Sequence, residues 1–371
     1  MGAWHNLLQQ GMDLFNLLII LYFFAANGVY TILMAASLAS VFRHSRRLAY
    51  QSLRATRASA ATPPVTVIIP AYNEEQSILE TVHSALGADY PDVRVVVVND
   101  GSTDETLARL TQEFRLSSAA RIIRSPLPAA KVECCYASPD FPRLVVLSKV
   151  HGGKADSLNA GINFCRTPYF CILDADCLIE PDSLLRLMRP VIESSENPVV
   201  SAGVVRIRNG CEAVGGRIRR IGLPRRWIEM FQVVEYLRNF LLGRAGWGPL
   251  GGTLIVSGAM AVFERETVVD AGGFDACMVS EDMELIVRLH HRAREKKRQT
   301  KMAFTPETVC WTECPKTVAM LARQRRRWHL GLCQSLHSHL VMNFNPRFGI
   351  VGVFSFPFHL FVEGLGAAVE L

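Results

Sequence analysis

No strand-like run in this 371-residue chain is followed by Gly-x-Gly-x-x-Gly, which excludes a dinucleotide-binding oxidoreductase. The glycine spacing of an NTPase phosphate loop is absent as well. Ten cysteines show no CxxC or CxxH spacing of the zinc type, the adjacent Cys134 and Cys135 cannot easily bridge, and several others sit inside apolar runs. They read as reduced core thiols in a reducing compartment. Charge of one sign is nearly balanced: 40 basic against 34 acidic residues leave +6, with arginines gathered at 43–57 and 323–327. That local basicity fits a membrane surface and an anionic substrate rather than a nucleic acid. Internal repeats and low-complexity tracts are also missing. Apolar residues are abundant instead, at 49% of the chain, enough for a substantial core, and they concentrate at the two ends.

Residues 14–42 carry no charge and exceed the roughly 20 residues that a membrane helix needs. No Lys or Arg precedes this run, whereas Arg43, Arg46, Arg47, Arg54 and Arg57 follow it, so the positive-inside rule places the N-terminus outside and the following residues in the cytoplasm. A linker at 58–64 leads into a βα rhythm: strand 65–70, helix 74–86, strand 93–98, helix 104–114, strand 143–148, helix 154–165, helix 181–194 and strand 199–208. Continuous Val/Ile runs such as Val95 to Val98 belong to parallel strands covered on both faces. The expected class is therefore α/β with a doubly wound sheet. Residues 125–142 fit no element.

The organising stretch is Phe170 to Asp176, an apolar strand ending in Asp174 and Asp176. Alternation puts both carboxylates on one side of the sheet at its carboxyl edge, where open α/β sheets bind ligands. Two hard oxygen donors there suit Mg2+ or Mn2+ holding a diphosphate, although a solvated turn or a helix cap uses the same residues. Two more loops emerge at that edge. Pro70-Ala71-Tyr72-Asn73-Glu74-Glu75 follows the first strand and Asn99-Asp100-Gly101-Ser102 the second. Tyr72 can lie against a base and Asp100 can accept from a uracil imide, while Asn73 and Asp100 are equally good helix caps. Lys149 to Lys154 follows the third strand, with glycines that admit a ligand and Lys154 near a helix start.

The segments PAYNEE, VVVVNDGSTDET, GGKADSLNAG, DAD, SEDMEL and QRRRW, in this order over about residues 65–336, resemble the family-2 glycosyltransferases. The last two are similar to those of the membrane-embedded synthases of cellulose, hyaluronan, chitin and poly-N-acetylglucosamine. The resemblance implies a cytoplasmic GT-A-type domain that binds a UDP-sugar. By motif position it implies that Asp100 holds the uracil, that Lys154 faces the nucleotide, and that Asp174 lies near nucleotide and metal. It makes Asp176 the principal metal ligand, and it sets Tyr72, Glu74 and Glu281 among the substrate-facing residues. It also puts Ser257 and Gly258 beside the acceptor sugar, within a stretch, 254–263, that reads as a strand.

Ser280 to Leu285 opens a helix running to about Arg294. A capping box would want its Glu three residues after Ser280, where Met283 stands. That leaves room for the role the motif implies for Asp282, the general base on the acceptor hydroxyl. On a helix begun near Pro315, Gln324, Arg327 and Trp328 share one face, suited to a diphosphate and an acceptor sugar, while Arg325 and Arg326 point elsewhere, toward lipid headgroups. Residues 225–243 show helical apolar spacing that fits either the core or a membrane interface. From Phe348 the chain turns apolar again.

These segments divide the chain into an N-terminal membrane helix and basic flank (1–57), a glycosyltransferase domain (58–312), the QRRRW and interfacial helices (313–345) and the start of a further membrane region (346–371). The expected protein is a multi-pass enzyme of the inner (plasma) membrane. It would use a UDP-sugar, UDP-glucose or UDP-N-acetylglucosamine, with Mg2+ or Mn2+ to elongate a β-linked glycan by inversion. A growing glycan or a lipid acceptor, the bilayer and accessory export or regulatory proteins are its expected partners, with no nucleic acid. Two alternatives remain: transfer of one sugar to a lipid carrier, and a non-catalytic receptor or scaffold that keeps the fold.

Overall fold

The computed structural model describes residues 2–50, 62–120, 125–193, 198–297 and 300–366. Arg54, Arg57, most of the expected linker, the end of the helix expected at 181–194 and residues 367–371 lie outside the described residues.

Twelve strands are present among these residues: β1 (Val65–Ala71), β2 (Val93–Asn99), β3 (Ser117–Ser118), β4 (Val132–Ala137), β5 (Leu144–Lys149), β6 (Tyr169–Leu173), β7 (Leu178–Ile179), β8 (Val200–Ile207), β9 (Glu212–Val214), β10 (Arg217–Arg220), β11 (Met260–Glu264) and β12 (Met302–Thr312). Ten form one sheet in the order β3-β4-β5-β2-β1-β6-β11-β8-β12-β7, and β9 and β10 form a separate hairpin. The chain steps from β1 to β2 on one side, and β6 joins β1 on the other, both pairings parallel. The crevice between the carboxyl ends of β1 and β6 is therefore the switch point where an open α/β sheet accepts a ligand.

Burial explains the apolar runs, since every residue of β6 is buried and so are six of the seven in β2. The helix Lys154–Phe164 crosses β1 so closely that a Cβ on Gly161 would stand 2.4 Å from Ile68 Cγ2, and this contact fixes Lys154 over the strand ends.

The sheet is mixed, because β11 runs antiparallel to both β6 and β8. Residues 254–259 do not extend that strand, which begins at Met260, and they form the loop that carries Ser257 and Gly258. The helix expected from Glu74 begins at Ile78, leaving Glu74 in the turn before it. Residues 125–142 supply β4, an antiparallel neighbour of β5. β12, absent from the sequence reading, lies parallel to β8 with register shifts around Pro306, whose missing N–H breaks the ladder and whose presence masks the strand pattern.

The N-terminal helix spans Gly2–Tyr50, and its Trp4–Arg47 stretch is the one helix among the described residues long and apolar enough to cross a membrane. Leu14, Phe15, Leu18, Ile20 and Phe24 are exposed along it. It docks on the helical segment between β10 and β11: a Cβ on Gly246 would stand 2.6 Å from the Leu33 carbonyl oxygen, and Ser37 Oγ donates to the Leu241 carbonyl. All ten cysteines are free and six are buried, as expected of core thiols.

Candidate active site

A cavity of about 1080 Å³ opens at the switch point and runs toward the N-terminal helix. One end gathers Lys154, Asp174, Asp176, Glu281 and Asp282, and the Ser257–Gly258 loop forms one wall. The loop is bound to the β6 edge by the Asp174 N–H donating to the Ala259 carbonyl at 3.0 Å. Lys154 Nζ lies 2.5 Å from Asp174 Oδ1 and 3.5 Å from Glu281 Oε1. Burial opposes charge on Lys154, but the carboxylates of Asp174, Glu281 and Asp282 outweigh it and hold the ammonium well above its ordinary value.

The acids at this end repel one another. Burial and then the Asp174 charge raise Asp176, against a Cys177 thiol that donates to its Oδ1 at 3.3 Å. Burial likewise raises Glu281, with Lys154 opposing and Asp282 adding to the rise. Glu74 is raised by burial and, after the bond it accepts from Ser77, by Asp176 and Asp174, so the turn after β1 shares the field of the pair. Crowded, partly desolvated carboxylate oxygens with a single ammonium among them fit a hard divalent cation, and two protein ligands leave positions for diphosphate oxygens. No group of three or more His, Cys, Asp or Glu suited to a metal occurs among the described residues, so Asp174 and Asp176 would hold such an ion with help from the substrate.

Asp282 occupies the first turn of the helix Glu281–Glu295, beside Gly258. Its Oδ1 accepts the Met283 N–H at 2.8 Å, and its Oδ2 faces the glycine, where a Cβ would stand 2.7 Å away. The N-cap Ser280 makes no side-chain capping bond. Instead the helix Val318–Ser338 crosses it, and a Cβ on Gly331 would stand 2.1 Å from Ser280 Oγ. Gln334 completes this junction by accepting the Val279 N–H at 3.0 Å. The close crossing brings Gln324, Arg327 and Trp328 to the same cavity, as their shared face predicts.

Arg325 departs from that pattern. Rather than facing lipid headgroups, it pairs with Glu235 at 2.7 Å and stacks 4.3 Å over the Trp328 ring, covering one face of the indole.

Of the residues expected around the base, Asp100 is the one placed differently. Asp100 is buried and absent from the cavity wall; it pairs with the fully buried Lys149 and accepts the N–H groups of Gly152 and Gly153 at 3.0 and 2.8 Å. Lys149 also meets Asp156 at 2.6 Å. Asp100 thus braces the glycine loop that presents Lys154. Tyr72 is half exposed, its ring 4.3 Å from that of His151, and the next residue, Asn73, takes a positive φ of 57° and accepts from the Thr103 N–H at 2.8 Å. This zips the loops after β1 and β2 into one rim. The sequence reading missed Lys149, because a lysine ending a strand looks like a surface residue until the fold closes over it.

A model described as glycosyltransferase like family 2 matches residues 63–331. Poly-beta-1,6-N-acetyl-D-glucosamine synthase of Staphylococcus epidermidis is 27% identical over 284 residues, covering 76% of this chain and 57% of its own. The protein of that name from Staphylococcus aureus is 26% identical over 267 residues, covering 72% of this chain and 54% of its own. The chain thus spans a little over half the length of these relatives. Among solved structures, a mannosyltransferase from Pyrobaculum calidifontis in complex with GDP-Man and Mn2+ superposes with a TM-score of 0.54 at 21% identity, over 91% of this chain and 87% of that one. That likeness is one of fold.

Proposed function

The chain belongs to glycosyltransferase family 2, and on that premise we propose that it transfers N-acetylglucosamine from UDP-N-acetylglucosamine to a growing β-linked glycan at a membrane. The observation that carries this reading is one cavity holding the Asp174–Asp176 pair, Lys154, Asp282 and the Gln324–Arg327–Trp328 face together. The names of the two staphylococcal relatives support the choice of sugar and of a polymeric product. The exposed apolar N-terminal helix supports the membrane location.

The mechanism follows from the placement of these groups. The Tyr72–Asn73 rim receives the base. Lys154 and Arg327 bring positive charge to the diphosphate, and Asp174 and Asp176 would hold Mg2+ or Mn2+. When bound, the ion neutralises charge on the leaving diphosphate. The acceptor hydroxyl enters the space that Gly258 leaves open, and Asp282 Oδ2 takes its proton as the oxygen attacks the anomeric carbon. The bond from that carbon to the diphosphate oxygen breaks on the opposite face, so UDP departs and configuration inverts. Arg325, paired with Glu235, fixes the Trp328 plane and leaves its other face for the acceptor ring.

Membranes carrying the chain, supplied in turn with radiolabelled UDP-N-acetylglucosamine, UDP-glucose and GDP-mannose, test the reading. Incorporation from UDP-N-acetylglucosamine into a product of many sugars is expected. A product of one sugar on a lipid would favour the carrier reading, and incorporation from none would leave the fold without this activity.

A further inference from the structure

The helix that begins at Trp227 does not run evenly to Leu250. Between Asn239 and Arg244 it widens into a π turn, a local irregularity that often serves a site, and its last residue is an arginine on the cavity wall. Arg244 stacks on the Phe240 ring at 4.0 Å, and its Nη1 is buried with no hydrogen-bond partner among the described residues. Arg186 and Arg189 also hold buried nitrogens without a hydrogen-bond partner, but each is paired with a carboxylate, as are Arg208 with Glu313 at 2.6 Å, Arg288 with Glu284 at 2.7 Å and Arg325 with Glu235 at 2.7 Å; Arg244 has no such ion pair among the described residues. A buried guanidinium donor costs free energy unless something accepts from it. Burial pulls the pKa of the Arg244 guanidinium down to about 10, although Asp282 and Tyr236 act to raise it.

Lys154 is already paired with Asp174 beside Asp176. Arg244 belongs to the segment held against the N-terminal helix through Ser37 and Gly246, and the carboxylate that acts on it is Asp282. Phe240 lies under the guanidinium, Trp247 follows it in sequence and lines the same cavity, and the Asp282 carboxylate that acts on Arg244 disfavours a second anion. Aromatic faces beside one free planar donor suit the rings and hydroxyls of an uncharged sugar chain.

We propose that Arg244 is an acceptor-positioning residue, donating from Nη1 to a hydroxyl or ring oxygen of a neutral glycan and so setting which hydroxyl meets Asp282. The assignment rests on the glycosyl-transfer reading above and names a residue for its acceptor side. It also gives the π turn a purpose, since the widened backbone brings the guanidinium to the cavity wall with the Phe240 ring beneath it.

Binding measured without turnover separates this proposal from that reading. The full-length protein in detergent, loaded with UDP and Mn2+, is titrated with a short neutral N-acetylglucosamine oligosaccharide and with its 1-phosphate. Arg244→Gln should weaken binding of the neutral oligosaccharide about tenfold or more, the scale of a lost charged hydrogen bond, with UDP affinity within about twofold of wild type. Arg244→Lys, which keeps the charge but not the planar fork, should fall between them. If Arg244→Gln has no cooperative melting transition, Arg244→Lys alone is read, and a loss of about threefold in oligosaccharide affinity is expected. Unchanged oligosaccharide affinity, an equal loss of UDP affinity, or a loss confined to the phosphorylated sugar would overturn the proposal. Absence of transfer by the wild type would fail the reading above and leave this binding test standing.

Discussion

Gly258 faces the Asp282 carboxylate so closely that a Cβ placed on it would stand 2.7 Å from Oδ2 and 3.4 Å from Lys154 Nζ. A Cβ carbon does not pack against an oxygen at the first distance, so on the proposed reading the glycine keeps clear the space through which a substrate oxygen reaches the acid. The substitution Gly258→Ala therefore fills the site of attack or rotates Asp282 off its Met283 N–H bond. Transfer should fall by about tenfold or more, a barrier rise of roughly 1.4 kcal/mol or above, while calorimetry finds UDP still bound. Wild-type turnover by this variant would mean that the acceptor enters elsewhere.

The acids at the donor end give the metal-free protein a particular pH dependence. Asp176, Glu281 and Glu74 are all raised, burial being the largest cause in each. A raised carboxyl binds its proton more tightly in the folded state, so its contribution to stability is complete below the unfolded value of about 4. That contribution is lost as pH climbs through the folded one. In EDTA, Tm should therefore decline with rising pH above about 4, less so in Asp176→Asn. Adding Mn2+ with UDP should restore Tm in the wild type and not in the variant. A metal effect of equal size in both would place the ion elsewhere.

Lys149 and Asp100 are a buried pair, and removing one member strands the other. Lys149→Met should cost about 3 to 5 kcal/mol of stability by chemical denaturation. It should also loosen the Gly152–Gly153 loop, whose N–H groups Asp100 accepts. A cost under about 1 kcal/mol, the range of exposed pairs, would mean that solvent reaches the pair.

The strand ending in Asp174 and Asp176 was legible because period-two alternation and a sharp polarity change are local signals, and β1, β2 and β5 were legible as Val/Ile runs. β12 was not, since Pro306 and Glu307 interrupt its pattern and its pairing with β8 is non-local. The Gln324, Arg327 and Trp328 face followed from helical spacing alone. That Arg325 would turn back onto Trp328 depended on Glu235, ninety residues earlier, which no spacing rule reaches. Asp100 was read as a ligand for the base because its motif sits at a strand end; the partner that occupies it, Lys149, comes from a neighbouring strand. Arg244 left no signal in the sequence, because its π turn and its missing partner exist only in the folded chain.

The proposed reaction turns on Asp282 taking the proton of the acceptor hydroxyl. The most direct test is the transfer rate of Asp282→Asn at saturating UDP-N-acetylglucosamine, set beside its UDP affinity. The amide keeps the shape and can still accept the Met283 N–H, but it takes no proton. A rate lower by about 10²- to 10⁴-fold, roughly 3 to 5 kcal/mol of barrier, with near wild-type UDP binding is the predicted result. A rate within a few-fold of wild type would contradict the account and move the base to another residue.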